Sequence, residues 1–203
     1  YFPPSVGEPA RPRADDDAVK RAIDLLGSAK RPIVVTGSGV FWSNAAPELR
    51  EFIDAAKIPF YTTPQGRGVV PEDHEMSFIA ARSKAFREAD VALVVGTRFN
   101  FIISNGHPPR WSADLKVIHV DIDATEIGHN HPADIGIVAD AKVALGQLTA
   151  EAKQQGLSGP TDWAAQLQEA DADRRATSLA IAESDTDPIH PLRVANEVVN
   201  FMD

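Results

Sequence analysis

The sequence contains no cysteine, which excludes disulfide bonds and thiolate metal sites. No stretch approaches the roughly 20 apolar residues of a membrane span, and the opening YFPPSVGEP lacks the basic start and apolar run of a signal peptide. No long Lys/Arg run occurs, and the formal net charge of -9 disfavours wide contact with nucleic-acid phosphates or anionic lipid. We therefore expect a cytoplasmic protein that binds neither nucleic acid nor membrane.

What is present is the composition of a folded domain with many turns. Hydrophobic residues make up 43% and charged residues 24% of the chain, with 13 glycines and 15 prolines among 203 residues. This length suits one domain with flanking segments. Residues 1–17 are dense in proline and polar groups, so we interpret them as a connector from an upstream domain.

Helix and strand patterns alternate along the middle of the chain. Apolar spacing predicts helices, and short β-branched or uninterrupted apolar runs predict strands that are buried on both faces. The helices are expected at 18–29, 46–56 and 141–152, and the strands at 32–37, 58–63, 91–96, 116–122 and 135–138. This alternation predicts an α/β fold, a doubly wound open parallel sheet (Rossmann-like) flanked by helices, with linker helices at both ends.

The character of the sequence changes after residue 153. A cluster of helix breakers at 154–160 is followed by a polar, alanine-rich helical pattern at 161–182, which we expect to lie on the outside as a linker. Residues 192–202 then show the apolar spacing of an amphipathic helix that needs a partner.

A Gly-x-Gly turn follows the first predicted strand. Gly37 and Gly39 flank Ser38 there, and glycines allow positive φ and let backbone N–H groups approach a phosphate at the start of a helix. The full dinucleotide fingerprint would need glycine at position 42, where Trp42 stands. A tight turn without a ligand is the alternative.

Polar residues stand at or just after the carboxyl ends of three later strands, and ligands of open parallel sheets bind outside these ends. Arg98 could pair bidentately with a phosphate, or be a solvated surface arginine. Asp121, which precedes Ile122, is suited to accept hydrogen bonds from ribose hydroxyls, whereas Asp123 could equally cap a turn. Asp140 holds the same type of position and could equally cap the next helix.

Three further cations, Arg67, Arg82 and Lys84, could form a positive patch suited to a polyphosphate, or be scattered surface charge. His129 and His131 are close in sequence, but no third ligand stands at a recognised spacing, so we expect no metal site. The Gly-Ser-Gly turn also lacks the Gly-x-Ser-x-Gly spacing of a hydrolase nucleophile. We identify no catalytic residue in the chain.

Four segments in order resemble the middle domain of thiamine-diphosphate-dependent decarboxylases and lyases. They are RPIVVTGSGV, IPFYTTPQGRGVVPEDH, ADVALVVGTRFNFIISNGHPPRW and KVIHVDIDATEIGHN. Arg98-Phe99-Asn100, followed by the segment 106–111, is more similar to oxalyl-CoA decarboxylase and 2-hydroxyacyl-CoA lyases than to acetolactate synthase, which favours an acidic residue at Asn100.

The resemblance implies a domain organisation and the cofactors of a longer protein. Residues 1–17 would connect to a missing N-terminal domain, 18–152 would form the nucleotide-binding middle domain, 153–187 a linker helix, and 188–203 the start of a missing C-terminal domain. Thiamine diphosphate and Mg²⁺ would be bound by those other domains. The full-length protein would act on an acyl-CoA substrate and form a homodimer or homotetramer.

The resemblance also implies a nucleotide role for this domain. ADP would contact a set of residues at the strand ends: Gly37, Ser38, Gly39, Arg98, Asp121, Ile122 and Asp140. The CoA part of the substrate would contact Ile79, Ala80, Ala81, Arg82 and Ser83. Ser38 stands where the decarboxylase has lysine, which implies a weaker phosphate grip or a different ligand.

Three alternatives remain from the sequence. The domain could bind FAD, as in acetolactate synthase. It could be a free-standing NAD-binding oxidoreductase, although the missing third glycine and the absence of a Tyr-Lys or His-acid pair count against this. It could also keep the fold, bind nothing and only bridge its neighbours.

Overall fold

The computed structural model describes residues 10–202 and contains a five-stranded, all-parallel sheet. Its strands run in the order β2-β1-β3-β4-β5. They are β1 (Pro32–Thr36), β2 (Phe60–Thr62), β3 (Val91–Val95), β4 (Lys116–Asp121) and β5 (Ile135–Val138). The predicted doubly wound α/β fold is confirmed. The part of the predicted connector at residues 1–9 lies outside the described residues.

The helices begin and end where local signals place them. Asp15 caps the first helix by accepting a hydrogen bond from Ala18 N, and Gly156, with φ of 66°, ends the fifth. The helices are α1 (Asp16–Ser28), α2 (Ser38–Trp42), α3 (Ala46–Ala56), α4 (Arg82–Glu88), α5 (Ala141–Gln155), α6 (Thr161–Ala182) and α7 (Pro191–Met202). Short 3-10 turns lie at Pro64–Gly66, Ile79–Ala81 and Phe101–Gly106.

Both faces of the sheet are buried at the central strands β1 and β3, which explains why these two strands have nearly uninterrupted apolar sequences. Alternate side chains such as Val34 and Leu93 pack against α1, α3 and α5. Their neighbours, such as Val35 and Val94, face the second layer, which includes α4 and α6. Strands β1 to β4 therefore contribute side chains to two hydrophobic cores, whereas the edge strand β5 contributes only Ile135 and Ile137 to the first.

The first half of α6 belongs to the second of these cores. Trp163 and Leu167 are fully buried, and the Trp163 Nε1–H donates to Pro32 O at 3.2 Å. Our expectation that this helix lies on the outside is wrong for this half, because α4 has only seven residues and cannot cover the face alone. Leu179, in the second half, is 52% exposed. The domain boundary at residue 153 stays a prediction.

The last helix, α7, has no buried residue. Val194, Val198 and Phe201 are more than half exposed, so its apolar face has no partner within residues 10–202. Over the same residues, no helix combines the length and apolar character that crossing a bilayer requires.

Replacing Trp163 by alanine tests whether α6 is part of the folded core. We expect Trp163→Ala to lower the free energy of unfolding by about 3–5 kcal/mol, because it leaves a cavity and removes the hydrogen bond to Pro32 O. The control Leu179→Ala, on the exposed half of the same helix, should change it by less than about 0.5 kcal/mol. Urea unfolding measures both, and equal effects would contradict the assignment.

Candidate functional site

The carboxyl ends of β1 and β3 form the point at which the strand order of the sheet reverses. The chain crosses from β1 outward to β2 on one side and from β3 outward to β4 on the other. The crevice between two such strands is where open α/β sheets bind ligands. The turn at Gly37–Gly39, the turn at Gly96–Arg98 and Asp121 all lie at this edge, because β1, β3 and β4 are parallel neighbours.

The glycines of this edge bring two turns into direct backbone contact. Gly39 N donates to Gly96 O at 2.9 Å, and a Cβ on Gly39 would stand 2.6 Å from Gly96 Cα. Gly96 has φ of +58°, which also favours glycine. The glycine at 39 is therefore required by close approach of the chain to itself.

This contact changes how the Gly-x-Gly motif is interpreted. Gly37 N donates to Val95 O at 3.2 Å, so the amides of both Gly37 and Gly39 are already engaged. Gly37 has φ of -140°, not a positive value, and α2 is only five residues long, which limits its dipole. A ligand role for Gly37 and Gly39 stays a prediction, and the tight-turn interpretation accounts for their identity.

Two adjoining cavities open at this edge. The arginine cavity, of about 620 Å³, is lined by Ser38, Arg98 and Asp121, among others. The connector cavity, of about 550 Å³, lies between residues 10–12 on one side and Trp42 and Ile122 on the other. Gly39, Gly96 and Asp121 line both cavities. The structure thus brings Ser38, Arg98 and Asp121 together.

Carboxylates outnumber cations in the arginine cavity. Arg98, 65% exposed, has its Nη1 3.6 Å from Glu126 Oε1, and Asp121 and Asp123 line the same cavity. Asp123 accepts hydrogen bonds from Thr125 N and Oγ1, which lower the Asp123 pKa and show it to be a turn cap. A phosphate at Arg98 must therefore compete with Glu126, a residue that the sequence analysis missed.

Asp140 lines the connector cavity but is heavily engaged by the protein. Its Oδ1 accepts hydrogen bonds from Lys142 N and Ser43 Oγ, both at 3.0 Å, and its Oδ2 accepts one from Arg11 at 2.9 Å. Burial raises the pKa of Asp140, but the hydrogen bonds from Arg11, Ser43 and Val143 outweigh it, so the pKa is below its usual value. Asp140 caps α5, and its contact with a nucleotide stays a prediction.

The segment 79–83 lies apart from these two cavities and lines neither of them. It forms the 3-10 turn Ile79–Ala81 and the start of α4, on the second layer. Ala80 N donates to Asp171 Oδ1 of α6 at 2.6 Å, which fixes the turn. The structure therefore separates the predicted CoA contacts from the predicted ADP contacts.

Arg82 has buried N–H groups without a partner. Its Nε and Nη2, together with the hydroxyl of Tyr61, are buried and form no hydrogen bond with the described residues. Its guanidinium carbon stands 4.9 Å from the centre of the Phe86 ring. Burial lowers the pKa of Arg82, and the charge of Arg110 lowers it further. Unpaired buried donors of this kind fit an anionic group.

The other two cations of the predicted positive patch are neutralised by neighbouring carboxylates. Arg67 Nε stands 2.7 Å from Glu72 Oε1, and Lys84 Nζ stands 3.1 Å from Glu88 Oε1. Of the three cations, Arg82 alone carries buried donors that lack a partner among residues 10–202. The patch thus reduces to one arginine.

His119 and His131 pack against other residues of the domain. His119 is fully buried in β4 with Nε2 3.1 Å from Thr97 O, and burial lowers its pKa. His131 stacks on Phe99 with ring centres 5.0 Å apart. Across residues 10–202, no group of three or more His, Asp or Glu side chains is placed to hold a metal ion.

Sequence comparison finds similarity to one family over most of the chain. The profile of the thiamine pyrophosphate enzyme central domain matches residues 19–148. A 2-hydroxyacyl-CoA lyase from Oryza sativa subsp. japonica is 42% identical over 74% of this chain and 26% of its own length. Oxalyl-CoA decarboxylase from Escherichia coli K12 is 38% identical over 72% of this chain and 26% of its own length.

Two more distant matches extend this similarity. A Methanocaldococcus jannaschii protein assigned as an acetolactate synthase large subunit is 32% identical over 100% of this chain and 33% of its own length. Among solved structures, a Mycobacterium smegmatis protein assigned to the thiamin diphosphate-dependent enzymes superposes with a TM-score of 0.59 at 22% identity, covering 74% of this chain and 30% of that one. The latter likeness concerns the fold.

Substituting Gly39 tests the contact between the two turns. We expect Gly39→Ala to lower the free energy of unfolding by about 1–3 kcal/mol, because its Cβ would meet the backbone of Gly96. The control is Gly146→Ala, inside α5, where an added Cβ would meet no heavy atom within 4 Å apart from its own helix, over the described residues. It should raise the free energy of unfolding by about 0.5–1 kcal/mol. Denaturant titrations compare them, and a stabilising Gly39→Ala would refute the contact.

Proposed function

The chain belongs to the family of thiamine pyrophosphate enzyme central domains, and we propose that it is the nucleotide-binding middle domain of a 2-hydroxyacyl-CoA lyase or oxalyl-CoA decarboxylase. The chain spans 26% of the length of each of these two relatives, so we expect the remaining domains of a longer protein to hold thiamine diphosphate and Mg²⁺. Thiamine diphosphate would supply the chemistry that cleaves or forms a carbon–carbon bond next to a carbonyl.

ADP is the ligand that we propose for the two adjoining cavities. The observation that carries this proposal is the convergence of Ser38, Arg98 and Asp121 on one cavity at the reversal point of the sheet. Arg98 would donate to a phosphate and Asp121 would accept from ribose hydroxyls. The exposed apolar side chains of Trp42 and Ile122, at 78% and 61%, would cover a purine in the connector cavity.

The nucleotide end of a CoA thioester is the ligand that we propose for the 79–83 segment. Arg82 supports this, because its buried Nε and Nη2 groups lack acceptors among the described residues and CoA carries several phosphates. The Tyr61 hydroxyl adds a second unpaired group on the same layer. The acyl group would lie outside this chain, in the part of the protein that holds thiamine diphosphate.

Another part of the longer protein would cover the exposed apolar face of α7. We propose that this helix begins the C-terminal domain, since its exposed apolar side chains are those of a helix packed on one side. We also propose that the full-length protein, with its N-terminal and C-terminal domains, forms a homodimer or homotetramer, as the resemblance to the family implies.

FAD in an acetolactate synthase is the second candidate, favoured by the 32% identity to the Methanocaldococcus protein and by the volumes of the two adjoining cavities, about 550 and 620 Å³. Visible absorbance of the purified full-length protein separates FAD from ADP. A free-standing NAD-binding oxidoreductase is disfavoured by Trp42 at the position of the third glycine and by the family itself.

Calorimetry with ADP tests the nucleotide site in this 203-residue chain. We expect ADP to bind and Arg98→Ala to weaken it about fivefold to tenfold, the loss of one charge-assisted contact. Arg50→Ala is the control, because Arg50 is similarly exposed at 61% but lies on α3, where it pairs with Asp54. Equal affinity in the Arg98→Ala variant and the unmodified chain would exclude this arginine from the site.

Calorimetry with CoA tests the second segment independently. Replacing Arg82 by glutamine should weaken CoA binding about tenfold or more, because it removes the positive charge and two N–H donors that lack acceptors among the described residues. Lys84→Gln, two residues along in α4 and already paired with Glu88, should leave CoA binding unchanged. If both variants bind CoA like the unmodified chain, the segment is not a CoA site.

A further inference from the structure

Residues 10–14, which we call the strap, cross the edge of the sheet and are fixed to two elements. Arg11 Nη1 donates to Ser43 O and to Asp140 Oδ2, both at 2.9 Å, and Pro12 O accepts from Asp140 N at 3.0 Å. Ala14 N donates to Gln147 Oε1 at 3.0 Å. The strap is thus tied to the turn before α3 and to α5.

The strap is also one wall of the connector cavity. Ala10, Arg11 and Pro12 line it, and Trp42 and Ile122 line it from elsewhere. Since Gly39 and Asp121 are shared with the arginine cavity, a ligand that fills both cavities contacts the strap at one end and Arg98 at the other.

Residues 10–12 of the strap can leave this position without opening a hydrophobic core, whereas Ala14 belongs to the first core. Residues 10–13 are exposed, and only Ala14, at 5% exposure, is buried. What holds residues 10–12 in place is therefore the pair of contacts that Arg11 makes with Asp140 and Ser43, together with one backbone hydrogen bond. Segments held by a few polar contacts, without apolar packing of their own, open locally at lower free energy than core elements.

We propose that the strap is a movable wall of the nucleotide site, so that nucleotide binding and strap docking stabilise each other, with Arg11 as the positioning residue. This inference rests on the proposed nucleotide function. Linkage makes the effect reciprocal. The factor by which strap docking raises nucleotide affinity is also the factor by which bound nucleotide raises the equilibrium constant for docking. In the proposed multidomain protein, occupancy of the site would then bias the placement of the proposed N-terminal domain.

Amide hydrogen exchange of the 203-residue chain tests the coupling. The amides of Ala14 and Asp140 are both bonded across the strap contact, so ADP should slow their exchange at least about fivefold. Arg11→Gln should speed exchange of the same amides without ADP and weaken ADP binding by about fivefold or more. Arg13→Gln is the matched control, because Arg13 is 67% exposed and, among residues 10–202, pairs only with Asp16.

The outcomes separate this inference from the function on which it rests. If the unmodified chain binds no ADP, the proposed function fails and the strap proposal fails with it. If ADP binds but leaves the exchange of Ala14 and Asp140 unchanged, the strap is a passive wall and this inference alone is wrong. That measurement needs no variant, so misfolding of Arg11→Gln could not obscure the result.

Discussion

The backbone contact between the turns that follow β1 and β3 constrains the rest of the functional edge. Gly39 and Gly96 are so close that a Cβ on either residue would overlap the other. The two turns therefore lie side by side at the point where the strand order of the sheet reverses. This closeness leaves Ser38 and Arg98 on either side of one opening and places Asp121 beside them. Bulk at either glycine would separate the turns and disperse those three side chains.

Local patterns predicted the sheet and its flanking helices, because apolar runs such as Val91–Val95 have few other stable arrangements. They could not predict the buried half of α6. Trp163 and Leu167 are its only large apolar residues before Leu179, and whether two such residues are buried depends on how much of the sheet α4 leaves uncovered. That depends on tertiary packing, so the burial of this half of the helix could not be predicted from its sequence.

Part of the candidate site could likewise be predicted from the sequence, and part could not. Arg98 and Asp121 were predicted from their places after strands, and the topology brings them together. Glu126 was missed although it lies five residues after Asp121, because its pairing with Arg98 depends on the path of a loop. The contact of Arg11 with Asp140 joins residues 129 positions apart, and no local sequence pattern indicates it.

The three positions of the Gly-Ser-Gly turn differ in whether they can accept a larger side chain. Its first and third positions cannot accept a Cβ without meeting the chain that follows β3. Only the middle position, occupied by Ser38, is free to vary and also faces the arginine cavity. A lysine there would offset one of the surrounding carboxylates, whereas serine leaves the opening acidic. For the anion that we propose at this opening, the strength of binding would therefore depend mainly on the side chain at position 38.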